Sequence, residues 1–433
     1  MFESTRKRWF CLFTLSFLFH GCDAIHDVGE NLLGVRCASD DACGDGLACD
    51  TATGACARPP RVQDVDILFL IDNSPSMAPK QAALARAIPA FIRRIDSSGA
   101  NYHVGIATSD VGTNVAPGTP WGGSVGSCDT FEGDDGVLQN VACTTRVNVT
   151  SEARTACTAL CPDPKYLPTD GKRFISKTAG VTNVPKDVRL DPVTGKMVDF
   201  GPINAFDCMA LVGDGGCGVE GQFEGAKRAL DGHRSENAGF LRSNSLLAVI
   251  FITDEDDCSV QAARRSENNP STRDCASPDK NASYECFNMD YRCQARALDC
   301  AEPLNTAGAK TACAERASSY LEPVQRYVTF LSGLRPRSKL FVSGIWTLPP
   351  IDKSGLSVSA VAGGTATPFL NRDRVLCAAE PAVSGMPQLR LSKLAGQFRD
   401  SVQVNLCDTS KYPDALDAIA RAIVSKAGLS EEL

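Results

Sequence analysis

The sequence predicts an α/β protein with a mainly parallel central sheet flanked by helices, and three observations predict it. "VDILFLI" (65–71) and "SLLAVIFIT" (245–253) are continuous apolar runs of strand length, as expected of strands buried on both faces. Stretches with helical spacing of apolar residues lie between such runs. The resulting alternation of strand and helix implies parallel strands joined by helical crossovers. The chain has 433 residues, 43% of them hydrophobic, enough to build a large core.

The elements can be justified in order. After the strand at 65–71, residues 79–96 carry apolar positions at helical spacing. Pro79 sits near the helix start, where its missing N–H costs little, and Pro89 is a candidate kink. "YHVGIATS" (102–109) reads as a second strand. "FEGAKRALDG" (223–232) reads as a helix end closed by Gly232. The strand at 245–253 follows, then helical signals over 313–333 and a strand, "KLFVSGIW", at 339–346. A helical stretch near 387–398, a strand "SVQVNLC" at 401–407 and a helix at 412–427 complete the pattern. Two stretches interrupt it, 112–205 and 256–312. Both are cysteine-containing and too long for ordinary loops, so they read as disulfide-tied insertions on the rim of the sheet.

Ahead of this domain, residues 37–56 hold Cys37, Cys43, Cys49 and Cys56 among Asp, Gly and Thr, with almost nothing to bury. Such a segment folds only if stapled, with three pairings open, and reads as a small module or stalk. Residues 57–61 read as a linker. Twenty cysteines point to an oxidising compartment, and setting aside Cys11 and Cys22 leaves an even number. The net charge of −7, with no long basic run beyond the first residues, does not support a nucleic-acid footprint. Four histidines make a histidine-based metal site a poor expectation.

The N-terminus supplies an address. Arg6, Lys7 and Arg8 precede the apolar run "WFCLFTLSFLF" (9–19), which has signal-peptide length and is short for a transmembrane span. "LFHGC" (18–22) resembles a bacterial lipoprotein cleavage box, with Phe19 and His20 departing from its usual residues. The resemblance implies a signal peptide over 1–21 and lipidation at Cys22. The tether, module and linker then fill 22–61, the main domain 62–427, and a tail 428–433. The expected location is the cell envelope, on the outer membrane or cell surface rather than the inner membrane. Ordinary cleavage would give a secreted or periplasmic protein instead.

The first buried strand ends in Asp72-x-Ser74-x-Ser76. Alternate residues of an extended turn point the same way, so three oxygens can converge. Hard oxygen donors suit Mg²⁺, Ca²⁺ or Mn²⁺ rather than zinc or copper, and one carboxylate with two hydroxyls leaves a coordination position open. The strand at 245–253 ends in "TDEDD", which puts Asp254 at the same edge if the two strands are neighbours. The other reading is that Asp72 and the serines cap a turn and a helix start.

"DILFLIDNSPSM" with "LLAVIFITDEDD" resembles the von Willebrand factor type A domain over about residues 64–427. The resemblance implies a Rossmann-like sheet with these segments as its first and fourth strands. It also implies a metal-ion-dependent adhesion site in which Asp72, Ser74 and Ser76 form one part and Asp254 another. The family's threonine on a middle loop has no counterpart here. That region reads "GDGGCGVEGQFEGAKRAL" (213–230), with Cys217, Val219 or Glu220 near the slot. Glu220 can supply an oxygen and favour Ca²⁺; alternatively the site binds metal feebly or not at all. Asp110 is another nearby carboxylate. Glu255, Asp256 and Asp257 read as a solvated acidic loop.

The implied function is adhesion: capture of an extracellular or envelope protein through an acidic side chain that completes the metal shell. The alternative is an envelope scaffold with a degenerate metal site. An enzyme is disfavoured, because the sequence has no G-x-S-x-G elbow, H-E-x-x-H or P-loop. His103 reads as a packed strand residue and His233 as solvent-facing.

Overall fold

The computed structural model describes residues 63–112, 133–146, 151–161, 164–192, 195–217, 220–261, 321–348 and 388–429 as continuous runs, with short pieces between 37 and 57 and between 298 and 370. The signal segment, Cys22, Val219 and most of the 256–312 insertion lie outside the described residues. The chain divides into two compact units at Pro59/Pro60.

The first unit is a two-stranded antiparallel ribbon, β1 (Ala48–Asp50) with β2 (Ala55–Ala57). Two disulfides, Cys37–Cys49 and Cys43–Cys56, hold it, which selects one of the three pairings left open by sequence.

The second unit is built on β3 (Asp64–Ile71), which pairs in parallel with β4 (Asn101–Thr108) on one side and β9 (Leu246–Ile252) on the other. Beyond β9 lie β10 (Leu340–Trp346) and β11 (Gln403–Asn405), both parallel. Beyond β4, two short antiparallel strands close the other edge, β5 (Ile175–Thr178) and β6 (Val181–Thr182). The order is β11-β10-β9-β3-β4-β5-β6. Residues 175–182, read from sequence as insertion, are therefore part of the main sheet. Their short run, buried only at Ile175 and Ser176, carries too little periodicity to be recognised. A separate hairpin, β7 (Val188–Leu190) with β8 (Met197–Asp199), lies between β6 and the next helix.

Successive residues of β3 belong to opposite faces, as a period of two requires. Ile67, Phe69 and Ile71 join one core with α1 (Ala78–Ser97), α3 (Gly201–Ala210) and α7 (Tyr412–Lys426). Leu68 and Leu70 join the other with α4 (Gln222–Leu230), α5 (Val324–Leu334) and α6 (Leu389–Ala395). Both faces are covered, which is why these strands read as unbroken apolar runs. α1 runs through Pro89 as one helix. α4 lies close on the sheet because Gly225 faces the Thr108 carbonyl, where a Cβ would come within 2.6 Å of its oxygen.

The helix expected over 313–333 is shorter. It begins at Val324, after Pro323 in an extended conformation, and Ala314–Glu315 instead pairs as a small strand with Leu298–Asp299. In the 112–205 stretch, α2 (Ser151–Leu160) is tied by Cys143–Cys157, and Cys161–Cys208 links its end to α3. Cys217, Cys258, Cys300 and Cys407 are also disulfide-bonded.

Candidate functional site

From β3 the chain moves to β4 on one side and later returns to β9 on the other. The sheet's direction of growth thus reverses at β3, and in open α/β sheets the crevice outside the carboxyl ends of such strands is where ligands bind. Register places Ile71 beside Ile252, and the Asp72 N–H donates to the Ile252 carbonyl at 2.9 Å. The residues that follow, Asp72 and Thr253-Asp254, therefore leave the sheet together. Sequence reasoning required these two strand tips to meet, and they do.

The side chains form a continuous chain of oxygens. The Ser74 N–H donates to Asp72 Oδ1 at 2.8 Å, the Ser74 and Ser76 hydroxyls lie 3.1 Å apart, and the Ser76 hydroxyl donates to Asp254 Oδ1 at 3.0 Å. Asp72, Ser74 and Asp254 are buried, and Ser76 is partly exposed. Two carboxylates and two hydroxyls make an all-oxygen donor set, which fits a hard divalent cation.

Asp72 receives two further donors that sequence reasoning missed. Ser109 Oγ, at the end of β4, lies 3.3 Å from Asp72 Oδ1, and Thr253 Oγ1 lies 2.7 Å from Asp72 Oδ2. Thr253 Oγ1 also accepts from the Gln222 amide at 3.0 Å and from the Glu255 N–H at 3.2 Å, and its hydroxyl faces the Glu255 carbonyl at 3.1 Å as well as Asp72. The middle loop lacks a threonine, but the strand ends supply two hydroxyls to the same carboxylate. Burial, then the charge of Asp254, pushes Asp72 up to about 6 in spite of these donors.

Lys80 is the other residue missed. Its ammonium is buried with 1% exposure, pairs with Asp254 Oδ2, and donates to the Ser76 carbonyl at 3.0 Å. One signal was legible: a lysine in the first turn of a helix stands against the helix dipole and needs an anion nearby. Next to it, Gln81 donates to the Asp72 carbonyl at 3.0 Å and exchanges hydrogen bonds with Gly213, fastening the 211–217 loop over the strand tip. Gly216 allows that loop to lie against Asn73, since a Cβ would fall 2.2 Å from Asn73 Oδ1.

Glu220 is buried and meets the segment after β4 through its main chain. It forms an isolated bridge with Asp110, and its carbonyl accepts from the Cys258 N–H at 2.7 Å. Asp110 is buried, and burial, followed by the charge of Asp134, raises it to about 6. Cys217, the other residue near the slot, is disulfide-bonded.

The expectation of a solvated loop at 255–257 is overturned. All three residues are buried. Asp256 accepts the Arg390 and Leu391 N–H groups at the start of α6, and Asp257 accepts the Phe223 N–H at the start of α4 and pairs with Arg390 at 2.9 Å. These acids cap helices whose N-termini arrive from distant sequence, which no local pattern could reveal. Burial still raises Asp256 to about 6.

No known family matches the chain, and no curated protein matches its sequence.

His103 is buried in β4 with Nδ1 2.7 Å from the Phe240 carbonyl, while His233 is exposed and bonded to Asp231. In the first unit, the sulfurs of Cys37, Cys43 and Cys49 lie within 4.8 Å of one another. All three are in disulfides, which removes the thiolates a metal would need. Among the described residues no helix is long and apolar enough to cross a membrane.

Proposed function

We propose that the chain is a von Willebrand factor type A-like binding protein that engages an acidic group of an extracellular or envelope protein through a divalent cation. The observation that carries this is the joining of Asp72, Ser74, Ser76 and Asp254 at the strand-order reversal, outside the carboxyl ends of β3 and β9. Mg²⁺ or Ca²⁺ would be held by these oxygens, and the ion would supply the positive charge that attracts the partner's carboxylate. The role is binding rather than catalysis. A lipid anchor at Cys22 would place the protein on the bacterial envelope.

The second reading is an envelope scaffold in which the site no longer takes a metal. The Lys80–Asp254 ion pair favours it, because a lysine already neutralises one of the two acids.

Thermal unfolding with increasing Mg²⁺ or Ca²⁺, after chelator treatment, tests the binding reading. A bound ion stabilises by RT ln(1 + [L]/Kd), about 2.7 kcal/mol at a hundredfold excess over Kd. The wild type should show a saturable rise in Tm that Asp72→Ala abolishes. A wild-type Tm unmoved by millimolar ion leaves the scaffold reading standing.

A further inference from the structure

We infer that Lys80 is a resident cation of the Asp72/Asp254 site, and that a divalent ion must displace its ammonium from Asp254 to bind fully. This rests on the cation-site reading above and concerns how that site is regulated.

The argument starts from where the ammonium stands. A lysine side chain ordinarily leaves its charge in water, and full burial requires a partner. Lys80 lies in the first turn of α1, where the helix dipole also opposes a positive charge. Both penalties are offset at one point, where Nζ meets the Asp254 carboxylate and the Ser76 carbonyl. Ser76 is shared as well: its hydroxyl bonds the same carboxylate through Oδ1 while Lys80 holds Oδ2. The ammonium therefore occupies the flank of the oxygen cluster that a divalent ion would use to reach Asp254.

Two buried carboxylates carried on neighbouring strand tips are unfavourable together unless a cation stands by them. A tethered ammonium relieves that conflict and keeps the strand tips together when no metal is bound. It also repels an incoming divalent ion and must give up Asp254 to it. The chain's own cation thus sets a threshold concentration for metal, and through it for the acidic partner. The spacing is local: Lys80 follows Ser76 by four residues, one helical turn, so the ligand and its competitor are carried by the same stretch of chain.

The test compares wild type with Lys80→Gln, which removes the charge and keeps a donor for Ser76 and Asp254. Mg²⁺ and Ca²⁺ affinities would be measured by calorimetry and by Tm shift on the full chain. Lys80→Gln should bind at least about tenfold more tightly than wild type. Equal affinities overturn the role of Lys80 and leave the metal site intact. No binding by either protein overturns both the role of Lys80 and the cation-site reading. A second measurement needs no variant: amine acetylation followed by mass spectrometry on wild type. Lys80 should be protected in chelator and modified faster at saturating Mg²⁺. An unchanged rate at a Mg²⁺ concentration that demonstrably binds overturns displacement.

Discussion

The two ends of β3 each carry a fully buried aspartate, and the two are solvated by the protein in different ways. Asp66, near the amino end, is met by arginine: the Arg242 N–H and Nε donate to its two oxygens at 2.7 Å, and the Ser245 hydroxyl donates at 2.5 Å. Arg335 buttresses the group through Ser245, with Nε 2.9 Å from the Ser245 carbonyl. Asp72, at the carboxyl end, is met by neutral donors only, and a second acid lies close by. The amino end is a closed ion pair that fastens β9 to β3. At the carboxyl end the buried ion pair, Lys80 with Asp254, is made to the other carboxylate. Asp66 is matched by arginine, whereas Asp72, in the proposed ion site, is left to neutral donors.

The difference can be broken first at Asp66. Asp66→Ala leaves the Arg242 guanidinium without its buried acid, and should cost about 3 kcal/mol or more in chemical unfolding. Its effect should not depend on divalent ions. A loss below about 1 kcal/mol would mean that solvent already satisfies the guanidinium.

Asp207 sharpens the same contrast, because it is an acid with even less help than Asp72. It lies in α3, buried, and its Oδ1 has no hydrogen-bond partner among the described residues. Burial pushes it up to about 8, with Arg93 pulling it only partly back. The fold therefore prefers the protonated acid. Its contribution to stability is fully present below the unfolded value near 3.8 and is lost as pH rises through about 8. Asp207→Asn should remove about 4 kcal/mol of pH dependence between about pH 5 and pH 8, and be more stable than wild type above that range. Parallel stability–pH curves for the two proteins would show that Asp207 is solvated in solution.

The contrast also explains what was legible. β3 and β9 announce themselves because seven or more consecutive residues are buried on both faces, and the motif after β3 is local. The meeting of Asp72 with Asp254 followed from those two runs once they were taken as neighbours. Thr253 and Ser109 matter only through a partner on another element, and Lys80, despite its place in the first helical turn, reveals its partner Asp254 only in the fold. The same holds for Asp256 and Asp257, whose caps depend on α6 and α4. β5 is too short to show a period, and α5 starts later than its apolar spacing suggests because Pro323 sets the boundary.

The most direct measurement is a crystal structure of the chain in saturating Mn²⁺, read by anomalous scattering. The expected result is a peak bonded to Ser74 Oγ and Ser76 Oγ, between Asp72 and Asp254, with the Lys80 ammonium withdrawn from Asp254. An absence of any peak at this edge, with Lys80 still seated on Asp254, would contradict it.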